Sequence, residues 1–182
     1  MLTSALAMVV AMLQQPTHES AAARAARTAA YDSTEAAFRQ VGLSVAQVKS
    51  GIDVYRRAAL GGLDDDVLRT AAFLRRSCET ADTTVRHAEA RICRHCSPGN
   101  VQPAFDSYRG MLPSLRAEMG RCAGRLQQQE RGSEPAKQLR AAVRDVGNPL
   151  VETLRRYERY VTRVRTALGL TPTNPARPAR GR

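Results

Sequence analysis

Apolar residues recur along this chain at alternating steps of three and four, in four separate stretches. The first carries Tyr31, Thr34, Phe38, Val41, Val45, Val48, Ile52, Tyr55 and Ala59. The second carries Val67, Ala71, Leu74, Cys78, Ala81, Val85, Ala88 and Ile92. The third carries Val101, Phe105, Tyr108, Leu112, Leu115, Met119, Cys122 and Leu126. The fourth carries Leu139, Val143, Val146, Leu150, Thr153 or Leu154, Tyr157, Val161, Val164 and Leu168. Such steps form a heptad seam, the stripe a helix buries in a coiled coil or bundle.

Breakers divide the stretches. Gly61-Gly62 ends a helix expected from about residue 18 to 60, and Asp64, Asp65 and Asp66 open the next, where acids suit the helix dipole and capping. That second helix is expected to reach about residue 95, before Ser97-Pro98-Gly99-Asn100. Pro103 suits the first turn of a third helix ending near Gly132. Ser133 caps a fourth, with Pro135 in its first turn, and Gly169 and Pro172 stop it.

The seams also fit one another across the turns. Folding the second and third stretches back on the 97–102 loop sets Ile92 against Tyr108, Ala88 against Leu112, Val85 against Leu115 and Ala81 against Met119. The first and second pair Tyr55 with Ala71 and Val48 with Cys78; the third and fourth pair Met119 with Val146 and Leu115 with Leu150. Short loops and matched seams predict an all-α, up-down-up-down antiparallel four-helix bundle over residues 21–169. Two prolines, Pro113 and Pro149, fall inside its third and fourth helices near one level, where a shared kink or bulge is expected.

The ends of the chain differ from this middle. Residues 2–13, LTSALAMVVAML, are apolar and uncharged. Their length suits the apolar region of a signal peptide and falls short of a membrane span, so residues 1–20 read as a cleavable leader despite lacking a basic flank. Residues 170–182 are rich in Pro and Arg without an apolar face, and are expected to be disordered. No apolar run reaches the roughly 18 residues of a transmembrane anchor.

Cysteine positions sharpen the bundle. There are four: Cys78, Cys93, Cys96 and Cys122. Cys78 and Cys122 occupy seam positions that the turn sets opposite each other. Cys78 and Cys93 lie about 22 Å apart along one helix, too far to pair. The register therefore selects Cys78–Cys122 and Cys93–Cys96 from three connectivities. In an oxidising compartment the first closes a loop of about 44 residues, worth up to about 4 kcal/mol before strain. Cys93-Arg94-His95-Cys96 lacks the following His of covalent haem attachment, since Ser97 stands there. No βαβ pattern surrounds it as in a thioredoxin-like site. A zinc site drawing on His87 or His95 would lack a completing pair.

Charge adds one further reading. The chain carries 28 basic and 17 acidic residues, a net charge of +11. All the basic residues but Lys49 and Lys137 are arginines, a bias that an Ala-rich, GC-rich genome also produces. Much of the excess lies in the last helix and tail, at Arg155, Arg156, Arg159, Arg163, Arg165, Arg177, Arg180 and Arg182, the candidate polyanion-binding residues. Glu152 and Glu158 interleave with them, as on a solvated ion-pair face.

No phosphate loop, HExxH, GxSxG or convergent acid pair is present. The expectation is a secreted or periplasmic, non-enzymatic binding or structural bundle with no catalytic, metal or cofactor site. A protein or other acidic partner is expected ahead of nucleic acid, and a homodimer would complete a thin core. The alternatives are a cytoplasmic nucleic-acid binder using the arginines, and a metal- or haem-binding bundle with Met119 as one ligand.

Overall fold

A computed structural model describes residues 20–95 and 97–170. The described residues form four helices: α1 (Ala21–Gly61), α2 (Asp64–Arg91), α3 (Gln102–Glu130) and α4 (Pro135–Ala167). Consecutive helices pack as antiparallel hairpins and α4 closes against α1, giving the expected bundle. Residues 1–19 of the expected 1–20 leader, residues 171–182 of the expected 170–182 tail, and Cys96 lie outside the described residues.

Every seam residue expected on α2 and α3 is buried, from Val67 to Ile92 and from Val101 to Leu126. On α4 the choice between Thr153 and Leu154 falls to Leu154, which is buried while Thr153 is half-buried. The turns hold the predicted registers. Thr34 Oγ1 of α1 accepts the backbone N–H of Cys93 at 2.9 Å, at the level predicted for the α1–α2 hairpin. Cys78 and Cys122 are joined by a disulfide with Cα atoms 6.4 Å apart, tying α2 to α3 within the core. Three ion pairs flank that bond on the same interface: Arg75–Glu130 at 2.9 Å, Arg116–Glu89 at 2.9 Å and Arg116–Asp82 at 3.8 Å.

Some boundaries move. α1 begins at Ala21, where the Ser20 side chain accepts the Ala23 N–H, and residues 21–29 are exposed throughout. Those turns extend past the end of α2 and rest on the helix propensity of alanine rather than on packing. α2 stops at Arg91, about four residues early, because Thr34 takes the Cys93 N–H that a longer helix would have used. Ser133 does not cap α4; Glu134 holds that position without a side-chain cap bond and pairs with Lys137 instead.

Both internal prolines sit exposed on continuous helices. Pro149 has no N–H to donate to the Asp145 carbonyl four residues earlier. Arg125 of α3 supplies the missing donor, reaching that oxygen at 2.7 Å. The helix thus keeps its accounts of backbone partners at the proline by borrowing a side chain from its neighbour.

Candidate functional site

Three of the four interfaces between neighbouring helices are hairpins, each closed by a turn. The α1–α4 interface has no turn and is the loosest of the four. One end of it is latched. Arg140 of α4 donates to the Ala59 carbonyl at 3.1 Å and the Gly62 carbonyl at 2.8 Å, and pairs with Asp64 at 2.8 Å. These are carbonyls left open by the end of α1, and a cation suits the negative end of the helix dipole. Higher up, Tyr55 donates its hydroxyl to the Leu139 carbonyl at 2.5 Å, and Arg56 donates to Asn148 Oδ1 at 3.0 Å.

Towards the other end the two helices part around aromatic rings. Phe38 of α1 crosses the bundle to meet Phe105 and Tyr108 of α3 edge-on, at centroid distances of 6.0 and 5.0 Å. Tyr108 in turn packs on Tyr157 of α4 at 5.8 Å, with their hydroxyls 3.5 Å apart. Above these rings α1 and α4 enclose a groove of about 800 Å³. Phe38, Val45, Tyr157 and Val161 form its floor, Gly42, Leu43, Ala46 and Thr162 its walls, and Arg39, Lys49, Glu158 and Arg165 its rim. Its volume falls within the range of small-molecule sites, about 300–1,000 Å³.

The electrostatics separate floor from rim. Burial pushes the Tyr157 phenol up to about 12, while the Tyr108 hydroxyl and the positive charge of Arg165 pull the other way. Burial also raises Tyr108 and Tyr55, so all three stay neutral hydrogen-bonding groups at any ordinary pH. At the rim, Lys49 pairs with Glu158 at 2.6 Å, and the hydrogen bond to that carboxylate raises the lysine. Arg39 pairs with Glu35 along α1. Arg165 makes no ion pair among the described residues. Leu43 stands 75% exposed on the groove wall. The lining thus sets buried aromatic and aliphatic side chains beside exposed charged ones.

The residues singled out in the sequence fall into separate places. Cys78 and Cys122 come together in the core, both buried. Cys93 lies at the end of α2, and its proposed bond to Cys96 falls outside the described residues. Arg155, Arg156, Arg159, Arg163 and Arg165 lie on α4 and are exposed. Arg156 pairs with Glu152 at 3.6 Å and Arg163 stacks over the Tyr160 ring at 5.3 Å, whereas Arg155 and Arg159 make no ion pair among the described residues. Arg177, Arg180 and Arg182 lie outside them. Met119 is buried, and His87 is exposed on α2. Among the described residues no three His, Cys, Asp or Glu side chains gather closely enough to hold a metal ion, and no helix is long and apolar enough to cross a membrane.

The periodicity of the seams does not mark the groove. The only hint was Gly42-Leu43, a glycine and an off-seam leucine beside Val41 and Val45. Compared with family models, with curated proteins and with solved structures, the chain matches none.

Proposed function

We propose that this protein is a non-enzymatic binding module of an oxidising compartment outside the cytoplasm, and that the α1–α4 groove is its binding face. One observation carries the reading: an apolar floor of Phe38, Val45, Tyr157 and Val161 lies open along the interface of neighbouring helices that no turn closes, the loosest of the four among the described residues. The buried Cys78–Cys122 bond supports the compartment, since such bonds form and persist where thiols are not kept reduced. The test is binding of the fluorescent anionic dye 1-anilinonaphthalene-8-sulfonate to the native protein. Wild type is expected to bind it, and Gly42→Trp and Leu43→Asp to bind at least tenfold more weakly with unchanged helical content. Equal binding by all three removes the groove as the site.

A second reading rests on Arg155 and Arg159, which are exposed on α4 and make no ion pair among the described residues, whereas Arg156 is paired and Arg163 stacked. Here the protein holds a polyanion such as nucleic acid. Retention on heparin that collapses steeply with salt, and that weakens in Arg155→Ala/Arg159→Ala, supports it. Flow-through at low salt dismisses it.

A further inference from the structure

Building on the groove reading, we infer that its occupant is an acidic amphipathic helix of a partner protein, laid in as a fifth rod. Length comes first. From Phe38 to Lys49 the α1 wall runs eleven residues, or about 16 Å, which accommodates three turns of a docked helix. Depth follows. Gly42 and Ala46 stand one turn apart on that wall, and a Cβ added to Gly42 would meet only the Tyr157 hydroxyl, at 3.9 Å. Small residues there let a second backbone approach to the 8–10 Å typical of packed helices.

Chemistry selects the class of occupant. The groove is open along its length, so whatever fills it keeps one side in water. A helix with an apolar stripe and a polar back satisfies both sides at once, in the helix-in-groove mode. An acyl chain lying there would leave its outer side bare. The rim then sets the sign of the flanking charges. Arg39, Lys49 and Arg165 face Glu158 alone among the lining acids. The existing pairs Arg39–Glu35 and Lys49–Glu158 have cations 73% and 60% exposed, and such exposed pairs are weak enough to exchange for a partner's carboxylates. A second copy of this chain fits less well, because it brings a net charge of +11 of the same sign. The uncharged segment 2–13 would cover the floor but leave the rim cations without counter-charge.

The test uses the full-length native protein and two synthetic helical peptides of fourteen residues. Both carry the same leucine stripe; one has glutamates on its flanks and the other lysines. Fluorescence anisotropy is expected to show the glutamate peptide binding at least tenfold more tightly than the lysine peptide. Gly42→Trp and, independently, Leu43→Asp should abolish that binding, and Arg39→Glu/Arg165→Glu should reverse the preference. Equal affinity for the two peptides overturns the inference. If neither peptide binds while the naphthalene sulfonate still distinguishes wild type from Gly42→Trp, the groove stands and the helical occupant is wrong. If the dye does not distinguish them either, both readings fall. A wild-type dimer in light scattering that Gly42→Trp dissociates assigns the groove to a second copy, and likewise overturns it.

Discussion

The α2–α3 and α1–α4 interfaces join antiparallel neighbours of one bundle, yet they are built differently. The first has a short turn, a core disulfide and three ion pairs between its helices. The second has no turn, a latch at Arg140, a few polar contacts and a groove. A turn fixes register directly, so seams can be matched residue by residue. The closing interface inherits its register from three hairpins in series, and its helices are free to part where large rings intervene. The open groove lies where chain connectivity imposes least.

The largest effect belongs to the closed interface. Replacing both Cys78 and Cys122 with Ser, or reducing the bond, is expected to lower unfolding stability by about 3–4 kcal/mol, from the loop it closes. Chemical denaturation with and without reductant reads this, and the double variant should respond far less to reductant than wild type does. Truncation sharpens the contrast. Leu115→Ala, in the α3 core, is expected to cost about 2–5 kcal/mol, whereas Leu43→Ala on the groove wall should stay within about 0.5 kcal/mol. Similar losses at both positions would show the groove to be packed in solution.

Alkaline titration probes the aromatic layer under the groove. An unfolded tyrosine titrates near 10, and burial holds Tyr157 near 12 in the fold. The folded state therefore keeps a proton that the unfolded state loses. Stability from this group is complete below pH 10 and disappears as pH rises through 12, by about 2–3 kcal/mol. Tyr157→Phe should flatten that part of the denaturation profile. At the latched end, Arg140→Ala removes the donor to the carbonyls closing α1 and should cost about 1–2 kcal/mol. Amide exchange should quicken at the α1–α2 turn more than in the α2–α3 core.

The smallest effect separates two glycines. A Cβ at Gly42 faces open groove, so Gly42→Ala is expected to gain about 0.5–1 kcal/mol from helix propensity. A Cβ at Gly51, inside the α1–α2 hairpin, meets Leu74 Cδ1 at 3.2 Å and its Cα at 3.4 Å, which offsets the same gain. Thermal melts that raise Gly42→Ala above Gly51→Ala agree with a loose closing interface.

These differences explain what the residues alone could disclose. Periodicity identifies the buried stripe of each helix, and turns then align stripes in pairs, which is why Cys78 could be set against Cys122. Thr34 fitted its stripe as well, although its role in ending α2 depends on a hydrogen bond across the hairpin. Glu118 was missed. It is 5% exposed on α3 with Arg121 hydrogen-bonded to its carboxylate, and nothing in a local pattern marks a charged residue for burial. Arg140 looks like any exposed arginine until the end of α1 is placed beside it. Leu43 falls off the seam and reads as a stray surface leucine until α4 supplies the opposite wall.

The register of the whole bundle converges on the pairing of two core sulfurs. Native protein, alkylated without reduction, digested and analysed by mass spectrometry, should yield a cross-linked species joining the peptide of Cys78 to that of Cys122. Recovery of both cysteines as separate alkylated thiols, or of either joined to Cys93, would contradict it.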